Sequence, residues 1–177
     1  MDFLPNQKQL DYLSLPPREA TEKLFPYVKD GYCLCAEALK KVFQLPPKER
    51  EMILLEYFKH NIMSTKSELE LFKLPSEARK ILLPAYLEKY SLWSEAELEL
   101  FNLPMEERKT LLPAYVKKHY LYDASEVKLF NLPEDERKEC LYPYLRKYFD
   151  SLCKEAQEMF DRLPEEERKA ILSEAEE

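Results

Sequence analysis

A Leu-Pro pair recurs along this 177-residue chain at nearly constant spacing. Successive pairs are 30, 29, 29, 29 and 31 residues apart, and they stand at Leu15-Pro16, Leu45-Pro46, Leu74-Pro75, Leu103-Pro104, Leu132-Pro133 and Leu163-Pro164. A fixed period of this length is typical of repeat proteins, in which each repeat is one supersecondary unit that packs on its neighbours. The period therefore constrains the fold more than any other feature of the sequence.

Other residue types recur at fixed offsets when the Leu of each pair is numbered as position 0. Arg stands at +5, Leu at +9 and Tyr at +12 in most copies, and Phe stands at −2. Positions +5, +8, +9 and +12 lie on one stripe of an α-helix. The Pro at +1 suits a first helical turn, and the acidic residues after it complement the helix dipole. We therefore expect the first helix of each repeat to begin at this Pro.

A second helix is predicted to complete each repeat. Segments 94–103 and 124–132 begin with polar residues and end on the Phe and the Leu of the next pair. Ser67 and Ser94 are candidate N-cap residues, because a hydroxyl there can accept a hydrogen bond from a free backbone N–H. Each repeat should thus be a helical hairpin.

Prolines inside the predicted first helices add a complication. They fall at +10 or +11, and each removes a backbone hydrogen bond and crowds the preceding turn. We therefore predict a kink or a break in these helices, whereas the second repeat, which has Leu55 at +10, should have a straighter one; the prolines are Pro26, Pro84, Pro113 and Pro143.

The helical-hairpin pattern resembles α-solenoid repeats such as HEAT, armadillo, TPR and PPR, although its period is shorter. A proline-punctuated period near 30 also resembles the mitochondrial transcription termination factor repeat, a basic family that binds nucleic acid. We predict an all-α fold, a right-handed α-solenoid in a single domain over residues 1–177, with an N-terminal half-repeat at 1–14 and a capping helix at 163–177. About five repeats should start at Leu15, Leu45, Leu74, Leu103 and Leu132.

Composition excludes several classes of protein. The single glycine, Gly31, leaves none for a phosphate-binding loop or for the tight turns of a sheet. The net charge of −7 argues against binding to a phosphate backbone, which needs a basic surface. No apolar stretch is long enough to span a membrane, and the N-terminus is unlike a signal peptide. We therefore expect reduced thiols and a cytoplasmic location, or the host cytosol if the protein is a secreted effector.

Two recurring side chains could form a binding surface. The Tyr at +12 could grip a peptide or stack on bases, but its stripe position favours packing in the core with the hydroxyl at the rim. The Arg at +5 could bind carboxylates or phosphates, but a ladder between repeats, paired with Glu or with helix-end carbonyls, is favoured. Aromatic residues near the bends should lie along one edge. The candidate surface comprises Trp93, Tyr90, Tyr120, Tyr122, Arg79, Arg108 and Arg137.

No motif for catalysis, a cofactor or a metal emerges. Cys33 and Cys35 form a C-x-C pair, but zinc needs further ligands, and His60 and His119 stand in different repeats. These histidines suit helix ends, and the carboxylates are expected in solvated helix turns. No nucleophile–base pattern or calcium loop is present.

We therefore predict a non-enzymatic scaffold that binds a protein or peptide, as a monomer or a weak homo-oligomer without membrane contact. Two alternatives remain open. One is a helical repeat that binds nucleic acid, which the charge disfavours. The other is an effector or counter-defence inhibitor that acts by binding a host protein.

Overall fold

The chain folds into α-helices joined by short loops. The computed structural model describes residues 4–173, in which there are twelve α-helices, one 3₁₀ turn (Phe149–Ser151) and no strand. The all-α prediction is confirmed. The helices are α1 (Asn6–Tyr12), α2 (Pro17–Lys29), α3 (Ala36–Phe43), α4 (Pro47–Phe58), α5 (Thr65–Lys73), α6 (Ser76–Leu87), α7 (Ser94–Asn102), α8 (Met105–Lys118), α9 (Asp123–Phe130), α10 (Glu134–Tyr148), α11 (Lys154–Asp161) and α12 (Glu165–Ser173).

The recurring Pro is an N-cap rather than the first helical residue. Pro46 has φ −54° and ψ 153°, so its ψ is extended, and its carbonyl accepts the N–H of Arg50 at 3.0 Å. The equivalent bond from Arg137 to Pro133 is 2.7 Å long. Each first helix therefore begins one residue later than predicted. In the first two repeats a second Pro occupies the first helical position, and its ring keeps the preceding residue out of the helical region.

The starts of the second helices also differ from the prediction. Ser64, not Ser67, is the N-cap of α5, and Ser67 lies within the first turn. Ser94 is the first residue of α7, so the N-cap position belongs to Trp93. Several polar residues precede α5 in sequence, and propensity alone does not choose among them.

The internal prolines do not split the first helices. The helices α2, α6, α8 and α10 run without interruption through Pro26, Pro84, Pro113 and Pro143. The predicted break is therefore wrong, and α6 is as long as α4, which has no internal Pro. Side chains on both sides of the Pro, such as Leu83 and Tyr86, are fully buried. Their burial stabilises the helix by more than the loss of one hydrogen bond destabilises it.

Contacts among the helices divide the chain into two compact units, of which the first ends at Trp93 and the second begins at Ser94. In the first unit α2 packs on α4 and α4 on α6, while α1 packs on α3 and α3 on α5. In the second unit the corresponding rows are α8, α10 and α12, and α7, α9 and α11. Each unit is thus a two-layer stack of hairpins. The right-handed solenoid over the whole chain remains a prediction.

Two recurring apolar positions contribute a buried residue to the core in nearly every repeat. The Leu at +9 is completely buried in five repeats, as predicted. Position −11, in the bend before each second helix, was not predicted to be in the core but is also buried, and it holds Leu4, Leu34, Met63, Leu92, Leu121 and Leu152. Among residues 4–173 no helix combines the length and the apolar character needed to cross a bilayer.

Candidate functional site: the bends that lead into the second helices

The Tyr at +12 belongs to the core. Tyr57, Tyr86, Tyr115 and Tyr144 are buried, and Tyr27 in the first repeat is half-buried. The prediction that the hydroxyls reach the rim is wrong for Tyr86, Tyr115 and Tyr144, whose hydroxyls bind buried glutamates. The hydroxyl of Tyr86 donates to Glu68 at 2.8 Å and accepts the backbone N–H of Met63 at 3.1 Å. A buried hydroxyl needs partners of this kind, and here Glu68 of α5 and the Met63 amide in the bend before α5 are the partners.

Three glutamates in the second helices complete this network. Each stands at position −6 and is fully buried, with one carboxylate oxygen bound to the Tyr at +12; they are Glu68, Glu97 and Glu126. The Tyr115 hydroxyl donates to Glu97 at 3.1 Å, and that of Tyr144 donates to Glu126 at 2.7 Å. The expectation that the carboxylates lie in solvated turns is therefore wrong for these residues.

The second carboxylate oxygen holds the backbone at the start of the following second helix. Glu68 Oε2 accepts the N–H of Trp93 at 3.0 Å, and Glu97 Oε2 accepts that of Tyr122 at 2.9 Å. Glu126 binds the N–H of Cys153 in the same way at 2.8 Å. One buried side chain thus ties its own helix to a Tyr 18 residues later and to an N-cap amide 25 to 27 residues later.

A glutamine makes the corresponding contact at the N-terminal end. Gln9 in α1 also stands at −6, and its Oε1 accepts the N–H of Cys35 at 2.8 Å. Its amide donates to the carbonyl of Leu4 at 3.1 Å. The second helix of the first repeat, α3, departs from this pattern, because the buried Leu39 stands at −6. The network therefore tolerates a neutral amide and, in one repeat, an apolar residue.

Burial determines the electrostatics of the network. It raises the pKa of the Glu68 and Glu97 carboxyls, although the hydrogen bonds that they accept oppose this shift. Burial likewise raises the pKa of the Tyr86 and Tyr144 hydroxyls, and it raises that of Tyr57 to about 12. The tyrosines are therefore neutral donors at physiological pH.

A signal in the sequence could have revealed these glutamates. In α5, Glu68 precedes Leu71 and Phe72 by three and four residues, which places all three on one face of the helix. The same spacing recurs in α7 and α9. An acidic residue on an apolar stripe, repeated in phase, indicates a buried carboxylate with a fixed partner.

Three of the four aromatic candidates are exposed, and the fourth is half-buried. Trp93, Tyr120 and Tyr122 have 47%, 45% and 42% of their surface exposed. Tyr90 is half-buried, and its ring lies 5.2 Å from that of Tyr86. Trp93 and Tyr90 belong to the first unit, and Tyr120 and Tyr122 belong to the second. A continuous aromatic edge remains a prediction.

Within the units the aromatic side chains have definite neighbours. The indole N–H of Trp93 donates to the carbonyl of Met63 at 3.3 Å. The Tyr120 ring lies 5.4 Å from Tyr148, and its hydroxyl donates to the carbonyl of Ser151. Among residues 4–173 no hydrogen bond involves the side chain of Tyr122, and the network holds only its backbone N–H.

The Arg at +5 has internal partners. Arg108 makes two hydrogen bonds to Glu136, at 2.6 and 2.8 Å, and a third to the carbonyl of Phe101 at 3.0 Å. Arg137 lies 3.1 Å from Glu167. Arg79 donates to helix-end carbonyls, including that of Leu74 at 2.7 Å. Arg108 and Arg137 thus pair with glutamates of the following repeat, and Arg79 pairs with helix-end carbonyls, so these three side chains are not free for a phosphate or an external carboxylate. Arg50 and Arg168 differ, because among the described residues no hydrogen-bond partner is present for the buried Nε of either.

The cysteines and histidines mostly have structural positions. Cys35 and Cys153 are the N-caps of α3 and α11, and each Sγ accepts a backbone N–H. Cys140 is buried, which raises its pKa to about 12. The exposed thiol of Cys33 donates to Asn61. His60 lies just beyond α4, and His119 is the C-cap of α8.

One group of potential metal ligands occurs among residues 4–173. The ligand atoms of Asp123, Glu126 and Cys153 lie within 4.8 Å of one another. Both oxygens of Glu126 already accept hydrogen bonds from Tyr144 and from the Cys153 amide. This arrangement is explained by the network, and the absence of a metal or cofactor remains a prediction.

Comparison with protein-family models, with curated proteins and with solved structures finds no match for this chain.

Proposed function

We propose that this chain is a non-enzymatic scaffold that binds a protein or peptide, built as an α-solenoid of helical hairpins. The observation that carries the proposal is the pair of exposed aromatic residues at the N-cap position of two second helices, Trp93 and Tyr122. Both backbones are fixed by a buried glutamate, while a little under half of each residue is exposed to solvent.

The N-cap position differs between repeats on a common frame. It holds Pro5, Cys35, Ser64, Trp93, Tyr122 and Cys153. Most of these residues have an amide held by Gln or Glu at −6 of the preceding second helix. A fixed backbone with a variable side chain is the arrangement that a binding scaffold needs, because its partner is read by side chains presented in a preset geometry.

An aromatic residue at this position has no benefit for the helix. Ser, Thr, Asp and Asn are preferred as N-caps, and lacking them costs about 1 kcal/mol. Tyr122 makes no side-chain capping bond. Trp and Tyr are, in contrast, the residues that most often dominate binding energy at interfaces. Contact with a partner therefore accounts for Trp93 and Tyr122 better than local helix stability does.

The nucleic-acid alternative receives less support. It needs arginines directed toward a ligand, whereas Arg108 and Arg137 pair with glutamates inside their unit. The effector or counter-defence inhibitor is the same binding activity with a host protein as partner. Reduced thiols, which the sequence predicts, fit a cytoplasmic location, or the host cytosol for an effector.

Affinity purification with matched variants tests the proposal. We expect Trp93→Ala combined with Tyr122→Ala to lose partners that the unchanged protein retains from its native extract. Met105→Ala is the control, because Met105 is also about half exposed but lies at the start of a first helix. Identical partners for all three proteins, measured by quantitative mass spectrometry, would contradict the role of the aromatic pair.

A further inference from the structure

A groove in the first unit lies between the second helices α3 and α5. It encloses about 520 Å³. Its apolar lining includes Phe43, which is almost completely buried, and Leu69 from the facing helix. The groove therefore offers a partly apolar surface along two parallel rows of side chains, separate from Trp93, which does not line it.

Two lysines on the groove have no partner of opposite charge. Lys40 on α3 and Lys66 on α5 are exposed, and within the described chain neither lies within salt-bridge distance of a carboxylate. Lys73, the third cation of the lining, is neutralised by Glu70 at 2.7 Å. The remaining carboxylate is that of Glu37, so the groove keeps an excess of positive charge in a protein whose net charge is −7.

Lys40 also departs from the repeat. Position −5 is apolar in four of the other second helices and acidic in α11; it holds Leu10, Leu69, Leu98, Val127 and Glu158. A lysine at this position has no role in the pattern of the repeat. In a repeat scaffold, residues that depart from the repeat can determine which partner binds, because the residues that keep to it are needed for packing.

The second unit provides an internal comparison. A groove of similar volume, about 540 Å³, lies between α9 and α11. Its cations, Lys154 and Arg162, both lie near Glu158, at 4.0 and 3.8 Å. Its positive charges are thus opposed within the same helix, whereas those of the α3–α5 groove are not.

We propose that the α3–α5 groove binds an acidic peptide segment in which an apolar side chain stands between carboxylates. The apolar side chain covers Phe43 and Leu69, and the carboxylates approach Lys40 and Lys66. This inference rests on the proposed scaffold function and names the chemistry of one class of partner. Because the ion pairs form at the surface, binding weakens as salt concentration rises.

Two pools of labelled peptides test the assignment. Both contain Leu and Phe at set positions in about twelve residues; the remaining positions are Asp and Glu in one pool and Lys and Arg in the other. Fluorescence anisotropy at low and high salt gives the apparent affinity of each pool. The unchanged protein should prefer the acidic pool. In the variant Lys40→Glu with Lys66→Glu, attractive surface pairs become repulsive, so its affinity for the acidic pool should fall about tenfold or more.

A second double variant separates the groove from a general charge effect. Lys154→Glu with Arg162→Glu changes the net charge equally but alters the α9–α11 groove, so it should leave the affinity within about twofold. Circular dichroism checks that both variants fold, which we expect because all four substituted side chains are exposed. An acidic pool that does not bind, that binds both variants equally, or that binds no better than the basic pool overturns the assignment. Partner loss on changing Trp93 and Tyr122 would still support the scaffold function in that case.

Discussion

Replacement of Glu68 by glutamine tests the buried carboxylate network directly. The carboxylate is fully buried and accepts two hydrogen bonds, from the Tyr86 hydroxyl at 2.8 Å and from the Trp93 amide at 3.0 Å. Glutamine has nearly the same size but only one acceptor oxygen. One of the two donors must therefore lose its partner, while the buried negative charge disappears.

The expected loss in the free energy of unfolding follows from these contacts. One hydrogen bond contributes about 1 kcal/mol. Glu68→Gln should therefore lower the free energy of unfolding by about this amount at a pH where the Glu68 carboxyl is protonated. Leucine, which occupies the same repeat position in α3 as Leu39, has no acceptor and therefore removes both acceptors of Glu68. Because each buried donor without a partner costs about 1 to 3 kcal/mol and there are two such donors, Glu68→Leu should destabilise the protein by about 2 to 6 kcal/mol.

The pH dependence distinguishes charge from hydrogen bonding. Burial raises the pKa of Glu68 in the folded protein. A carboxyl with a raised folded pKa contributes stability below its unfolded pKa of about 4.3, and this contribution is lost as pH rises through the folded pKa. Glutamine does not titrate. The deficit of Glu68→Gln relative to the unchanged protein should therefore be largest in acid and shrink toward neutral pH.

The assay uses Trp93, the single tryptophan of the chain. Its fluorescence during urea unfolding at several pH values reports on the unit that contains Glu68, and circular dichroism follows helix content in parallel. Glu70→Gln is the matched control, because Glu70 lies on the same helix but forms only a surface pair with Lys73. Its effect should stay below about 0.5 kcal/mol.

Two results would refute this reasoning. If the deficit of Glu68→Gln grows as pH rises, the charged carboxylate stabilises the fold and its burial is not the dominant effect. If Glu68→Leu is no worse than Glu68→Gln, the two donors do not need Glu68, and the network has no energetic importance.

Three further predictions follow from the packing. Pro84→Ala should restore a backbone bond in α6 and stabilise the protein by about 1 to 3 kcal/mol, measured by thermal unfolding, and a lower melting temperature would show that the Pro is required. Arg108→Met should destabilise by about 2 to 4 kcal/mol at neutral pH, because it leaves the buried Glu136 unpaired. Since Arg108 lowers the pKa of Glu136, the part of this penalty that comes from Glu136 should be lost as pH falls through that lowered value, while the part from the lost bond to the Phe101 carbonyl remains; a constant penalty across pH would contradict the pairing. Alkylation followed by mass spectrometry should label the exposed Cys33 first and the buried Cys140 only on unfolding; early labelling of Cys140 would contradict its burial.

Much of the local structure was predictable from the sequence because its determinants are close in the chain. The Leu-Pro joint, the hairpins and the burial of Leu at +9 follow from helical periodicity and from the backbone restriction of Pro. The fate of Pro84 was not predictable in the same way. Whether a helix continues through Pro depends on the apolar burial on both sides, which is a property of the packed unit.

The candidate site shows the same division. The sequence alone determined that Trp93 and Tyr122 stand at bends, and that an Arg recurs beside glutamates. Only the tertiary structure decided that Glu68 is buried rather than solvated, because its two partners come from positions 18 and 25 residues away. A carboxylate is stable in the interior only where such donors converge, and this convergence is set by how hairpins pack.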